Sequence, residues 1–305
     1  MIAGCERDYV SVCVCTYQRP TLLARLLDAL GEQSTGDAFS FEVVVVENDE
    51  RRSSEAVVRE RAARARVLVR YYCEPERNIS LARNHAVRNS HGNLIAFIDD
   101  DERPEKDWLC SLHRTLRDTG ADGVLGPVIP EFPVDTPRWL RDGRVFERPR
   151  HETDSRIGPR DARTGNVLME RSLFVDGEIW FDPALGRTGG EDSDFFTRQC
   201  ESGRVFVWCD EAVACETIPP ERWSASFHLR RMWRSGTISG ERVRDGRLPS
   251  AFLVRNGLVL GACLLAAPAS VLMPKHRRME VALKAAYCGG VVTAALGWSA
   301  LRHRE

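Results

Sequence analysis

LIAFIDDDE, residues 94–102, passes from five apolar residues directly into four acids. A short apolar run bounded by polar residues reads as a strand buried on both faces, as in a parallel sheet. In such a sheet ligands bind beyond the carboxyl ends of the strands, which is where these acids fall. Three adjacent aspartates repel one another, so gathering them costs energy unless a cation or a helix N-terminus compensates. Mg²⁺ and Mn²⁺ are hard ions that prefer carboxylate and phosphate oxygens. If the strand runs on through the acids, Asp99 and Asp101 point the same way, roughly 7 Å apart along the chain. A solvated acidic turn ahead of the next helix is the plainer reading of the same letters.

The rhythm around this stretch alternates. YVSVCVCT (9–16) and FEVVVVEND (41–49) read as buried strands, and PTLLARLLDAL (20–30) sets leucines at helical spacing behind an initial proline. SSEAVVRERAARA continues as a helix, RVLVRYY as a third strand, and NISLARNHAVRNS (78–90) as a helix with Ser80 as its expected cap. Beyond the acids come the helix EKDWLCSLHRTLRD and the strand GVLGPVI. Residues 130–160 then break the pattern with prolines and charges, and long irregular segments inside compact domains are usually functional. Order returns with RTGNVLMERSLF (163–174), an acid-led helix in GGEDSDFFTRQCESG, two short strands in RVFVWCDEAVACE, and the helix of WSASFHLRRMWRSGTISGE (223–241). The expectation is an α/β fold, a mixed and mostly parallel sheet flanked by helices.

Composition narrows the partners. The 305 residues are 43% hydrophobic and 29% charged with a formal net charge of −1, so the chain is globular and carries no field for a nucleic acid polymer. Lysine occurs only at Lys106, Lys275 and Lys284, and the many arginines are scattered among a matching number of acids. Ten cysteines form no CxxC, and Cys13 and Cys15, on one face of one strand, are not expected to bridge. With no basic start followed by an apolar h-region, the first domain is expected on the cytoplasmic side.

Four motifs in order over residues 9–200 resemble the family 2 glycosyltransferases, enzymes of GT-A fold. VSVCVCTYQRPTLLARLL is similar to their opening strand, turn and helix, and VVVVEND to their second strand, usually ended by aspartates. NISLARNHAVRNSHGNLIAFIDDDE resembles their Ala-Arg-Asn helix and metal strand, and GGEDSDFFTR their Gly-Glu-Asp motif. The opening is closest to exopolysaccharide transferases of the succinoglycan type.

The resemblance implies transfer of a sugar from a UDP-sugar, with inversion, assisted by Mg²⁺ or Mn²⁺. Thr16, Arg19, Glu47, Asp49, Arg83, Asp99 and Asp100 are then expected to hold the nucleotide or its diphosphate, and Asp99 and Asp101 the metal. An acid can accept the imide N–H of uracil, and the forked guanidinium of Arg83 suits a diphosphate. Asp192 is the expected base for the acceptor hydroxyl, with Glu191 as the other candidate. Gly189 and Gly190 permit the tight turn that presents both acids at a helix start. Glu216 stands where relatives place a metal histidine; it either ligates the ion or anchors a loop. Gly165 and Asn166 fall in the segment that lines the acceptor side, and Trp139 is a candidate platform for a sugar ring. Pro219 replaces the glutamine of the Gln-x-x-Arg-Trp motif of processive relatives, so one sugar per encounter is expected.

The expected domains are a catalytic part, 1–245, with a nucleotide-sugar half (1–129) and an acceptor half (130–245), and a C-terminal part, 246–305. GLVLGACLLAAPASVLM (257–273) and VALKAAYCGGVVTAALGWSAL (281–301) form an apolar helical pair near the lower limit of ~17–25 residues for a membrane span. Basic residues on both sides favour a pair pressed into the cytoplasmic leaflet of the cell membrane over a hairpin through it; a pair packed on the catalytic domain is the alternative. A membrane location suits a glycan or lipid-linked acceptor. The reading from outside enzymology is a membrane-associated sugar-nucleotide sensor or inactive scaffold.

Overall fold

Along β1 (Asp8–Thr16), Val10, Val12 and Val14 pack into one helical layer and Cys13 into the other, so the strand is buried on both sides. A central strand needs that burial, and the computed structural model, which describes residues 7–175 and 180–298, builds its main sheet outward from β1. The elements follow as α1 (Pro20–Gly31), β2 (Phe39–Glu47), α2 (Glu55–Ala62), β3 (Leu68–Cys73), α3 (Ile79–Arg88), β4 (Leu94–Phe97) and β5 (Glu102–Pro104). After them come α4 (Trp108–Thr119), β6 (Gly123–Leu125), β7 (Val128–Glu131), α5 (Arg138–Asp142), β8 (Val167–Glu170) and α6 (Glu191–Glu201). The chain continues through β9 (Phe206–Trp208), β10 (Ala214–Thr217), α7 (Ala225–Arg244), α8 (Ser250–Ser270) and α9 (Lys275–Ala295).

The main sheet runs β3-β2-β1-β4-β8-β6-β9. Pairs within β3-β2-β1-β4 and the pair β6/β9 are parallel, while β8 is antiparallel to both its neighbours, which gives the mixed, mostly parallel α/β sheet expected. On one face, Leu23, Leu26, Leu27 and Leu30 of α1 meet Trp108, Leu112 and Leu116 of α4; each such side chain contributes about 1.5–3 kcal/mol on burial. On the other, Ala82 and Ala86 of α3 meet Phe195 and Phe196 of α6. GVLGPVI is not one strand: it breaks at Gly126 and Pro127, so β6 stays in the main sheet while β7 joins the three-stranded sheet β5-β10-β7. The two strands of RVFVWCDEAVACE divide the same way.

The cap of α3 is Asn78 rather than Ser80. The Asn78 side chain accepts from the N–H groups of Ser80 and Leu81 at 3.1 and 3.3 Å, and Ser80 is buried inside the first turn. An extended Asn78 can aim its oxygen back at those donors, which a residue already inside the helix cannot.

At the entry of β1, Asp8 receives both Arg117 donors at 2.7 and 2.8 Å, His113 at 2.7 Å and Asn93 at 2.7 Å. Burial works against the charged form of Asp8, but these hydrogen bonds outweigh it and hold the carboxyl below the usual range. A depressed folded-state value stabilises above the unfolded value, about 3.9, and that contribution is lost as pH falls through the folded one. Asp8→Asn is therefore expected to cost about 1–3 kcal/mol at pH 7. The gap from the unsubstituted chain should close below pH 4, and a gap constant from pH 7 to pH 3 in urea unfolding would contradict the assignment.

Contacts divide the chain into two units. One ends at Pro130 and resumes over Arg148–Glu216; the other comprises Glu131–Glu147 and the described residues from Thr217 onward. This partition differs from the expected boundary after residue 245, because α7 packs with α9. The reason is small residues: a Cβ on Gly236 would lie 2.0 Å from the Tyr287 carbonyl oxygen, one on Gly240 2.3 Å from that of Val291, and one on Gly290 2.2 Å from that of Trp233. Backbone meets backbone where no side chain intervenes. α9 is thus half of a tight crossing, and of the expected apolar pair α8 alone, among the described residues, is long and apolar enough to cross a membrane.

Candidate active site

β4 ends at Phe97, and the acids that follow do not continue it. The Glu102 N–H donates to the Asp99 carbonyl at 3.1 Å and closes a turn over residues 99–102. The extended geometry expected for Asp99 and Asp101 is therefore replaced by a turn that sorts the side chains. Asp100 accepts from the Thr16 hydroxyl at 2.8 Å and from Arg19 at 2.9 Å, and Arg19 also reaches Asp101 at 3.1 Å. Glu102, on β5, is buried, its carboxylate accepting the Asp99 N–H at 3.2 Å.

Charge is concentrated behind this turn. Burial raises the Asp99 carboxyl to about 6; Arg83 opposes the rise, while Asp101 and Asp100 add to it. Burial, and then Asp99, pushes Glu102 well above its usual range. Gly165 fits against both: a Cβ there would lie 2.7 Å from Glu102 Oε1 and 3.1 Å from Asp99 Oδ2. Glu102 was the acid that motif reading passed over, and its signal was the fourth charge in a run already too dense for one turn.

The second acidic group reaches this place through α3. Arg83 is buried and pairs with Glu191 at 2.6 Å. Against the cost of burial, the charges of Glu191, Asp99 and Asp192 hold the guanidinium protonated. The acids ending β4 and those opening α6 therefore surround one buried cation, though they are more than 90 residues apart in sequence.

Three contacts dock the approach to α6 on α3. Asn84 exchanges hydrogen bonds with the Phe181 backbone at 2.8 and 3.1 Å, and Asn78 donates to the Pro183 carbonyl at 2.9 Å. Gly186 lies against Asn78 so closely that a Cβ would sit 1.7 Å from its Oδ1. Gly189 and Gly190 then take φ of +93° and +96°, a left-handed turn that favours glycine, and Gly190 caps α6. Glu191 is buried with its second oxygen, Oε2, unpartnered, whereas Asp192 is half-buried and accepts the Ser193 N–H at 2.7 Å.

Other expected site residues fall elsewhere. Glu47 is buried and spent on the Ser53 hydroxyl, the Ser54 N–H and the Tyr71 hydroxyl, so it anchors the turn after β2 instead of facing a base. Asp49 stays close to the first turn, accepting from Gln18 at 2.9 Å. Asn166 is fully buried, with its amide committed to Trp108, Pro127 and Ala212, which leaves nothing to offer an acceptor. Trp139 is 5% exposed in the core formed with Leu140, Phe146, Ile218 and Met279, with His228 edge-on at 5.7 Å, so it is no ring platform. Glu216 stands opposite Glu102 in the antiparallel pair of β10 and β5, with Arg148 at 3.5 Å.

Among the described residues no three His, Cys, Asp or Glu side chains converge as a ready-made ion cage. The donor set near the turn is nevertheless all hard oxygen, and burial together with the neighbouring acids disfavours ionisation of Asp99 and Glu102, which a bound cation would restore. Mg²⁺-type sites commonly take one or two carboxylates from the protein and leave the remaining positions to substrate phosphates and water. These residues fit an ion that arrives with a diphosphate.

Comparison with known proteins bears on the family and the fold. The profile of Glycosyl transferase family 2 matches residues 11–174. The chain is 33% identical over 302 residues to the succinoglycan biosynthesis protein ExoM of Rhizobium meliloti, covering 96% of this chain and 94% of that protein. Among solved structures it is similar in fold to the mannosyltransferase PcManGT from Pyrobaculum calidifontis in complex with GDP-Man and Mn²⁺, with a TM-score of 0.66 at 21% identity over 94% of this chain and 87% of that one. S. aureus TarS in complex with UDP-GlcNAc gives a TM-score of 0.54 at 16% identity, over 95% and 91% of the two chains.

Proposed function

The chain belongs to glycosyl transferase family 2 and is a glycosyltransferase of GT-A fold, and from that premise we propose that it moves a sugar, with inversion, from a UDP-sugar to a hydroxyl of a polysaccharide, glycan or lipid-linked acceptor. One sugar is added per encounter, in the assembly of an exopolysaccharide. The observation that carries this reading is the buried Arg83, around which Glu191, Asp99 and Asp192 gather. A diphosphate site and a base for the acceptor have to adjoin in such a reaction, and one cation serves both.

In this reading Thr16 and Asp49 border the nucleotide, and Arg19 turns from Asp100 and Asp101 toward the diphosphate when donor binds. Asp99 and Asp101 would hold Mg²⁺ or Mn²⁺, with Glu216 as a third oxygen donor. The ion supplies positive charge to the diphosphate as it leaves. Asp192, the less buried acid at the start of α6, takes the acceptor proton as that oxygen attacks the anomeric carbon. Glu191, buried against Arg83, keeps the guanidinium in place beside Asp192. Calorimetric titration should find UDP binding at least about tenfold tighter with Mn²⁺ than with EDTA, a difference of ~1.4 kcal/mol. Equal affinity in the two would remove the metal-assisted diphosphate from this reading.

We also place the enzyme at the cytoplasmic face of the cell membrane. The support is α8, with mean hydropathy 1.7 and only 11% of its apolar window buried, leaving Leu258 72%, Leu264 62% and Leu265 85% exposed. Arg242, Arg244 and Arg247 precede it, and Lys275, Arg277 and Arg278 follow, positions suited to anionic headgroups. The double substitution Leu258→Glu with Leu265→Glu, seven residues apart on one helix face, is expected to move most of the protein from the membrane fraction to the soluble one. Unchanged fractionation would count against a lipid-facing α8.

A further inference from the structure

A cleft of about 70 Å³ lies on the far side of the acid turn from the expected nucleotide residues. In the sheet order β3-β2-β1-β4-β8-β6-β9, Thr16 and Asp49 follow β1 and β2, on one side of β4. The cleft is walled from the other side, by Leu125 of β6, Gly165 just before β8 and Trp208 of β9. Gly165 is shared, since a Cβ there would also run into Asp99 and Glu102. With ~10–15 Å³ needed per water, the cleft has room for a carboxylate or phosphate group and some water.

The lining is unusually basic. Arg148, Arg150 and Arg163 contribute to it against one carboxylate, Asp161. Arg150 is neutralised by a two-point pair with Asp210 at 2.7 and 2.9 Å, and Asp161 faces His151 at 3.5 Å. Arg148 reaches Glu216 at 3.5 Å and is felt electrostatically by Asp99 and Glu102. Arg163 differs from the others. Its hydrogen bonds go to the backbone carbonyls of Arg160 and Ala162, at 3.0 and 2.6 Å, and no carboxylate among the described residues pairs with it. Those two bonds use one guanidinium nitrogen, Nη1, and leave the other nitrogens to a ligand.

We propose that this cleft receives an oxyanion carried by the acceptor, with Arg163 and Arg148 as its partners, so that the enzyme prefers an acidic or phosphorylated saccharide to a neutral one. The inference rests on the glycosyl-transfer reading and adds the chemical class of the acceptor. A carboxylate and a phosphate present the same paired oxygens to a guanidinium, which is why the shared chemistry is assigned.

Titrations of the full chain with methyl glucuronide, methyl glucoside 6-phosphate and neutral methyl glucoside test it, each with and without saturating UDP and Mn²⁺. At least one acidic probe should bind about tenfold or more tightly than the neutral one, the gain expected of a charge-assisted hydrogen bond in a partly screened site. Which acidic probe gains more names the oxyanion. Arg163→Gln should erase the preference and Arg163→Lys should retain part of it, while UDP affinity stays within about twofold, since ~0.4 kcal/mol is within the noise of a distant substitution. Equal binding of acidic and neutral probes would overturn the proposal, as would a preference that survives Arg163→Gln. A fall in UDP affinity in that variant would assign the cleft to the donor diphosphate and overturn it too. If the unsubstituted chain binds no UDP, the transfer reading fails by itself, and the titrations without nucleotide still decide the anion preference.

Discussion

Asp192→Asn is expected to lower turnover by about 10²–10⁴-fold while leaving UDP binding close to that of the unsubstituted chain. Asparagine keeps the shape of the side chain and can still accept the Ser193 N–H, which at 2.7 Å is the contact fixing the Asp192 rotamer. It cannot take a proton. In the proposed reading the nucleotide is held by groups at the ends of β1, β2 and β4, none of which the substitution replaces. Glu191→Gln provides the contrast, because Glu191 is committed to Arg83 at 2.6 Å and buried. That variant should lose stability as well as activity, whereas Asp192→Asn should unfold at nearly the same denaturant concentration. Normal turnover by Asp192→Asn would end its assignment as the base, and a large stability loss would show that its role is structural.

Arg83→Leu is expected to destabilise the fold by about 3–5 kcal/mol. The arginine and Glu191 expose only 9% and 2% of their side chains, so removing the cation leaves a carboxylate in a place with almost no water. Asp99 suffers as well, since Arg83 is the strongest influence keeping its carboxyl from rising further. A double-mutant cycle isolates the pair: Arg83→Leu with Glu191→Leu should recover much of the loss, because two apolar side chains of similar size need no solvation. Urea midpoints measure all three variants. A single-variant cost below about 1 kcal/mol would mean that solvent already screens the pair, and that the joint between α3 and α6 rests on Asn78 and Asn84 instead.

Local sequence was a good guide wherever the deciding forces were local. The alternation of Val10, Val12 and Val14, the leucine spacing of α1 and the paired glycines before α6 each specify an element through periodicity or through a φ that only glycine readily adopts. Boundaries set by a distant partner were less legible. Asn78, the cap that stands just outside the helix while Ser80 lies within it, is also tied to Pro183, a residue 105 positions away. GVLGPVI reads as one apolar run, yet its halves join different sheets. Glu47 and Asn166 have the residue types of ligand contacts, but other parts of the chain consume their polar atoms.

The sequence by itself determined the α/β alternation, the family and the two acidic motifs, since these are properties of order and spacing along one chain. Only the tertiary structure decided that both motifs surround Arg83, that Glu191 is its partner while Asp192 stays accessible, and that Arg163 faces a cleft with no carboxylate partner among the described residues. The reason is that burial and charge pairing are sums over neighbours brought from far along the chain, and an acid's chemistry depends on those neighbours more than on its own identity.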